Sequence, residues 1–380
     1  MGERSAIVVG GGIGGVATAV GLLRAGWSVR VLEQAPEFGE VGAGISLWSN
    51  AFRALDALGL GERVRALGVV RADARLRDRR GRQVVHAGGD PATRTDAVPA
   101  IFHRAELLSA LLDALPAACL GAGTRVRGVR TEPGRAVVEH DGGESTVDLV
   151  VGADGLRSTV RSALWPHAEP PRYAGQTSWR MVLPVPGGVV LPAGESWGPG
   201  SVFGMLPMSG DRVYCYATAT VPAGQASAGG ELAELRDRFA GWHDPIPALL
   251  AAARPDAVLR HDLFYLPSLD SYVRDRVALL GDAAHAMTPN LGQGACQALE
   301  DAATLSAVLA GDSDVDTALR RYTGLRKRRT QTVARRSRQA DTMVHLTSPV
   351  AIALRNAALR LVPPSLAMRS FTSTLDWTPP

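Results

Sequence analysis

The 380-residue chain is poor in cysteine, in aromatic residues and in long apolar runs, and each scarcity removes a class of protein. Its three cysteines, Cys119, Cys215 and Cys296, are odd in number, far apart and free of any CxxC pair. They supply neither a disulfide framework nor a zinc site, so no metal is expected and their expected place is the core, as small apolar side chains. Aromatics make up only 5% of the residues, too few for a protein that stacks nucleic-acid bases. No apolar run approaches the ~18–20 residues that span a bilayer, and no leader precedes Ile7, Val8 and Val9. A cytoplasmic protein without stable membrane insertion is the expectation, as a monomer or homodimer. Internal repeats and low-complexity linkers are absent as well.

What is present is ordinary globular material, 46% hydrophobic and 21% charged, long enough for one large domain or two. Arginine greatly outnumbers lysine, and the formal charge of +4 is a mild excess that suits anionic ligands. The basic run at 326–338 reads as the solvated face of a helix, and no nucleic-acid module accompanies it.

Residues 5–9 form an apolar strand, followed by a glycine cluster, a helix over 14–25 and a second strand over 27–33, a βαβ opening. Helical spacing continues over 50–67 and 104–115. Residues 69–86 alternate, with a hairpin signal at Gly81, and 87–99 read as a polar loop. From 124 the pattern is strand-like, ending in the apolar run Leu149, Val150 and Val151. Residues 167–267 differ in texture, being rich in Pro, Gly and Trp, with short alternating strands and one helix near 231–240. An apolar strand then returns at 277–280, followed by a long Ala-rich helix after Gly294, a basic helix over 316–340 and short helices in the tail. The predicted fold is α/β. A Rossmann-like domain is assembled from 1–72, 96–166 and 268–340, a mixed β-sheet substrate domain from 73–95 and 167–267, and a helical C-terminus from 341–380.

Gly10, Gly12 and Gly15 spell GxGxxG between a strand and a helix. The first glycine permits the tight turn, the second lets the backbone approach a pyrophosphate, and the third lets helix and strand pack closely. The helix N-terminus offers unpaired N–H groups to phosphates. Glu33 ends the second strand, where a carboxylate accepts hydrogen bonds from an adenosine ribose. Together these features predict a bound dinucleotide.

Two further segments, VVGADGLRSTVR (150–161) and VALLGDAAHAMTPNLGQGACQALEDA (277–302), resemble the DG and GD motifs of the single-component aromatic-ring hydroxylases with the para-hydroxybenzoate hydroxylase fold. GAGISLWSNAFRALDALGL (42–60) and the pair His103-Arg104 resemble the same family. The likeness covers about 5–340 and is nearest to bacterial members related to zeaxanthin epoxidase, salicylate hydroxylase and urate hydroxylase. Ser49 stands where proline is usual, Met181 where glycine often follows Trp179-Arg180, and Asn290 where urate-oxidising members carry aspartate. The resemblance implies FAD as cofactor, NAD(P)H as reductant and O2 as co-substrate. It implies hydroxylation or epoxidation of an aromatic or polycyclic small molecule through a flavin C4a-hydroperoxide, which needs a dry cavity.

The cofactor-binding residues that the resemblance implies are Gly10, Gly12, Gly14, Gly15, Glu33, Gln34, Gly44, Ile45, Arg104, Asp154, Gly155, Gly281, Asp282, Pro289, Gly292, Gln293 and Gly294. Asp282 would hold the ribityl chain, Asp154 with Gly155 the pyrophosphate side while helping to admit the nicotinamide nucleotide, and the 289–294 turn the flavin ring. Pro289 and Gly292 are counted with the catalytic group because they bring backbone against the reacting ring. On the substrate side, Tyr214 and Tyr216 alternate on one strand and face a cavity together or pack the sheet; Arg180 binds a substrate anion or is structural. His243, His261 and His285 read as surface or satisfied histidines. Three rival readings stay open on the same fold. They are a reductase, a halogenase (against which no WxWxIP stretch is found) and a non-catalytic FAD- or ligand-binding protein.

Overall fold

The computed structural model describes residues 4–39, 43–70, 74–86, 98–312, 314–361 and 372–380. The polar loop expected at 87–99 therefore lies almost wholly outside the described residues, as does Gly42.

A six-stranded sheet runs in the order Val273–Arg274, Val277–Leu279, Leu149–Gly152, Ser5–Val9, Ser28–Leu32, Leu120–Gly121. All but the first strand are parallel, with Val8 beside Val151 on one side and Val31 on the other, and Val151 beside Ala278. The sheet thus joins segments from both ends of the chain. Its central strands, Ser5–Val9 and Leu149–Gly152, are almost wholly apolar because both faces are covered, by the Ile13–Arg24 helix and by a three-stranded antiparallel sheet over 126–147 that supplies Val126, Val129, Ala136, Val138 and Val147 to the same core. The Ile13–Arg24 helix packs against the Gly294–Gly311 helix at glycine positions. A Cβ on Gly14 would lie 3.0 Å from that of Ala298, and one on Gly21 would lie 2.1 Å from Ser306 Oγ. The segment read as one helix over 50–67 is two, Ser49–Ala57 and Gly61–Arg65. Gly59 at φ +71° ends the first in a Schellman turn, with Leu60 N donating to Leu55 O.

The second large sheet has seven strands, ordered Leu259–Tyr265, Arg172–Pro184, Arg212–Thr220, Ser201–Met208, Gly194–Gly198, Arg75–Asp78, Gln83–His86. It is mixed, since Gly194–Gly198 and Arg75–Asp78 pair in parallel. Strand periodicity divides its side chains between two faces. Trp179, Met181, Phe203, Met205, Val213, Cys215 and Ala217 point into an apolar core. The Glu231–Phe239 helix and a second one, Ile246–Ala252, close that core. The sequence pattern does not announce the second helix, which is a single short Ala-rich stretch between prolines. The alternate residues, Ser178, Arg180, Tyr214, Tyr216 and Thr218, point the other way, into a cavity.

Beyond the sheets runs the basic helix Val315–Val344, longer than the 316–340 expected, and then Pro349–Leu361. Residues 374–377 are pinned by carbonyl bonds from Arg329 and Arg53, including Arg53 Nε to Trp377 O at 2.6 Å. Among the described residues no helix is long and apolar enough to cross a membrane.

Candidate functional site

A cavity of about 720 Å³ lies between the two large sheets. One wall is backbone. Gly12, Gly14 and Gly15 of the first turn, Gly44 and Ile45, Gly155, Gly281 and Asp282, and Pro289 to Gly294 all line it. Gly10 does not reach the cavity. It sits at φ +107° with its N–H on Leu32 O at 2.8 Å, and a Cβ there would lie 2.4 Å from Ala153 O. A Cβ on Gly15 would meet Gly10 O at 2.1 Å, so both glycines are demanded by the turn itself.

The helices that begin at this wall, Ile13–Arg24 and Gly294–Gly311, have neither a side-chain cap nor an acidic residue in the first turn. Their leading N–H groups and positive dipole ends are therefore left to a ligand. No Cβ-sized obstruction lies within 4 Å of Gly155 or Gly294. An elongated cavity with two such helix ends and glycine-lined walls fits an FAD, whose diphosphate and electron-accepting ring edge both draw N–H donors.

Arg104 opens the Arg104–Leu112 helix, and its backbone N donates to Ala43 O at 2.9 Å. Its side chain lies in the cavity wall near Asp282 and Tyr214, and its pKa is lowered by burial and by Arg180. Glu33, by contrast, has both carboxylate oxygens on backbone N–H groups, Gly11 at 2.7 Å and Ala35 at 2.8 Å. Gln34 beside it is exposed, outside the cavity lining. Asp154 departs from its expected place. Its carboxylate takes Ser158 Oγ at 2.6 Å and Val160 N at 3.1 Å, turning toward the start of the Thr159–Leu164 helix and away from the cavity. Burial pushes its pKa up in spite of these bonds.

The other wall is made of side chains. Tyr214 and Tyr216 both face the cavity, with ring centroids 5.5 Å apart. Each rests on a glycine: a Cβ on Gly44 would lie 2.1 Å from the Tyr214 ring, and one on Gly204 would lie 2.1 Å from that of Tyr216. Tyr216 donates its hydroxyl to Glu195 Oε1 at 2.5 Å, while Trp197 Nε1 donates to Glu195 Oε2 at 2.7 Å. Burial raises the Tyr214 phenol against the pull of Arg180 and Arg104. Burial and the Glu195 charge raise Tyr216 further. Arg180, paired across the strands with Tyr216, lines the same wall and forms no ion pair with a described residue.

The histidines are spread out. His243 is bonded to Ser196 Oγ at 2.7 Å, and His261 stands on a strand edge beside Ser178, its pKa lowered by desolvation and then by Arg180 and Arg104. His285 is buried and bonded through Nε2 to Asp301 Oδ2 at 2.5 Å.

Behind the backbone wall lies a buried ionic network. Arg326, fully buried, bonds Asp301 Oδ1 at 2.6 Å, Glu300 Oε2 at 2.5 Å and Gln297 Oε1 at 2.9 Å. Asp301 also accepts from Gly281 N at 2.9 Å. Asn50 links Glu300 at 2.6 Å to Gln293 at 2.9 Å. The network therefore holds both Gly281 and Gln293 of the cavity wall.

Comparison with known proteins agrees with this geometry. Residues 3–337 match the model of the family described as FAD binding domain. The chain belongs to that family. It is 41% identical over 326 residues to the aurachin C monooxygenase/isomerase of Stigmatella aurantiaca, covering 85% of each chain. It is 34% identical to the 2-heptyl-3-hydroxy-4(1H)-quinolone synthase of Pseudomonas aeruginosa over 365 residues, 94% of each. A crystal structure of a Klebsiella pneumoniae HpxO variant complexed with FAD superposes with a TM-score of 0.89 at 30% identity, over 98% of each chain. The expected fold and class are borne out: the chain is an FAD-dependent monooxygenase of the aromatic-hydroxylase type, and NAD(P)H is the usual reductant of that class.

In this monooxygenase the residue that sequence reasoning missed is Glu195. Its only local signal was the alternation Glu195, Trp197 in a strand that also carries Ser196, whose hydroxyl faces the opposite side toward His243. Val202 and Leu206, also unremarked, supply apolar surface to the cavity from the neighbouring strand.

Proposed function

We propose that this monooxygenase hydroxylates a neutral bicyclic N-heteroaromatic of the 4-quinolone type bearing an apolar chain, at the ring carbon next to the carbonyl. The observation that carries the proposal is the side-chain wall, where Arg180, without an ion-pair partner among the described residues, stands beside the Tyr216–Glu195 pair, with Val202, Leu206 and Trp197 as apolar surface and Ser178 and Thr218 as small polar groups. A 4-quinolone presents a ring N–H, which the Glu195 carboxylate accepts, and a carbonyl, which Arg180 or Tyr214 satisfies. Val98, Pro99, Val202, Leu206 and Val344 accept the chain. No histidine lines the cavity among the described residues, and both tyrosines are held protonated. A substrate that needs no deprotonation suits such a wall better than a phenol, because the ring nitrogen already enriches the target carbon. Both named relatives, a quinolone synthase and the aurachin C enzyme, support this reading.

In this proposal residues 1–72, 96–166 and 268–340 form the FAD domain, and 73–95 with 167–267 the substrate domain. Gly12, Gly14 and Gly15 take the diphosphate, Glu33 the ribose, Arg104 and Asp282 the ribityl region, and Pro289 to Gly294 the ring edge. The bound FAD supplies the oxygen-transfer chemistry; the chain orients the substrate and excludes water. A cytoplasmic monomer or homodimer is the proposed working form.

FAD-loaded protein should be assayed with NADH and NADPH for nucleotide oxidation, O2 uptake and H2O2 release. The panel is 2-alkyl-4-quinolones, phenolic acids and urate. Quinolone-stimulated oxidation with little H2O2 and a product heavier by one oxygen, about 16 Da, is the expected result. Turnover confined to phenolic acids or urate would sink the substrate assignment.

A further inference from the structure

A second groove, of about 420 Å³, opens between the basic Val315–Val344 helix and the strands Arg172–Pro184 and Leu259–Tyr265. Its lining includes Tyr173, Tyr265, Arg335, Arg338 and Asp341, and it shares Thr288 with the main cavity. Thr288 immediately precedes Pro289, so the groove and the proposed flavin site meet on one turn.

The charges of the groove are unbalanced. Arg326 and Arg329 of the same helix are neutralised by Glu300 and Asp301. Arg338 has no side-chain hydrogen bond or ion pair among the described residues; its guanidinium lies 4.1 Å from the centroid of the Tyr265 ring. Arg335 makes one weak side-chain bond, to Thr332 Oγ1 at 3.3 Å. The nearby Arg172 is paired with Glu169. The carboxylate in the groove, Asp341, is occupied by Asn290 Nδ2 at 2.7 Å and His345 Nδ1 at 3.0 Å. Two like charges three residues apart on a helix face repel each other, and an anion between them relieves that repulsion. Tyrosine rings beside them give a flat surface for an aromatic base.

The reaction needs a nicotinamide dinucleotide, and the sequence carries only one GxGxxG, which the FAD site uses. We propose that this groove receives the adenosine diphosphate portion of the reductant, with its phosphates on Arg335 and Arg338 and its adenine against Tyr173 or Tyr265. The nicotinamide end then leads toward Thr288, which the two cavities share, and the Pro289–Asn290 stretch of the main cavity beyond it. The proposal rests on the monooxygenase reading for the identity of the ligand, but not on the quinolone assignment.

The test uses FAD-loaded protein and two probes without a nicotinamide, ADP-ribose and 2′-phospho-ADP-ribose, in titration calorimetry. Their comparison separates an NADH from an NADPH site. The variants are Arg335→Ser, Arg338→Ser, the double serine variant and a double lysine variant. Both side chains are solvent-exposed, and thermal melts check that folding is kept. The wild type should bind at least one probe, the double serine variant at least about tenfold more weakly, and the double lysine variant in between. In anaerobic stopped-flow work the nucleotide concentration that half-saturates flavin reduction should rise with the limiting reduction rate unchanged. Flavin spectral shifts on binding aromatic ligands should also be unchanged. Wild-type probe affinity in the double serine variant would overturn the proposal. So would saturable reduction of wild-type flavin with neither probe bound. Probe binding that depends on Arg335 and Arg338, in a protein whose flavin neither nucleotide reduces, would support the groove as an ADP site and overturn the reductase half-reaction instead.

Discussion

The two walls of the main cavity are written in different alphabets. The wall on the six-stranded sheet is backbone, shaped by glycines whose missing Cβ atoms leave room for turns and for a ligand. The wall on the seven-stranded sheet is side chains, brought together by strand register. The first serves a cofactor that every member of the family must hold, so its geometry tolerates no Cβ at Gly10 or Gly15. In the proposed reading the second serves the substrate, and its chemistry can change with single side chains while the apolar core on the sheet's other face stays as it is.

The comparison breaks most severely if the support behind the backbone wall is removed. Arg326→Met leaves Glu300 and Asp301 buried without their main counter-charge, a loss of about 3–5 kcal/mol by the usual cost of breaking a buried ion pair. The variant should have a much lower urea midpoint and should lose FAD on gel filtration. Its pH response should also flatten. In the wild type burial pushes both carboxyls up, but Arg326 with Arg329 at Glu300, and His285 with Arg326 at Asp301, outweigh it and hold both below their ordinary values. Folded pKa values below the unfolded ones give stability that is present above the ordinary carboxylate range and is lost as pH falls through the folded values. Wild-type stability should therefore decline, with flavin release, below about pH 4. In Arg326→Met the two carboxyls keep His285 and Arg329 but lose Arg326, so their folded pKa values move back toward the ordinary range and less stability is lost in acid. Urea midpoints of both proteins at pH 7 and at about pH 3.5 decide this, and a parallel decline would refute it.

The side-chain wall should give the next largest effect, and one of another kind. Tyr216→Phe and Glu195→Gln each remove a charge-assisted hydrogen bond, of about 1.5–3 kcal/mol. They should lower kcat/KM by roughly tenfold to a hundredfold and lower the urea midpoint by about that bond's worth, while FAD affinity stays near wild type. Flavin loss in either variant would show that the two walls are not separable.

The same contrast explains what could be read from the sequence. Gly10, Gly12 and Gly15 were legible because a strand, a turn and a helix must meet there, and the requirement is local. Tyr214 and Tyr216 were legible as a pair sharing one face, since alternation is local too. Glu195 was not, because its meaning lies in Tyr216, twenty-one residues away and on a strand two places across the sheet. Nor was Arg326, whose basic run looked solvated; the acids that bury it are Glu300 and Asp301 on another helix. Asp154 shows the reverse case. A motif position suggested a ligand contact, and what the structure shows at its carboxylate is a local partner, Ser158 four residues on.

The smallest effect should come where backbone-wall residues lie beside the cofactor motif without reaching the cavity. Gln34 follows Glu33 in sequence, yet it is exposed and outside the lining. Glu33 braces the turn through Gly11 and Ala35, and Gln34 contributes nothing to that brace. Gln34→Ala should change FAD affinity by less than about threefold, within the range of ordinary surface substitutions. Glu33→Ala should weaken it far more, because the Gly11 and Ala35 N–H groups that shape the turn lose their acceptor, together with the ribose contact proposed for that carboxylate. Fluorescence titration of apoprotein with FAD measures both. Equal losses would mean that Gln34 touches the cofactor directly and that the backbone wall extends one residue further along the strand than the cavity does.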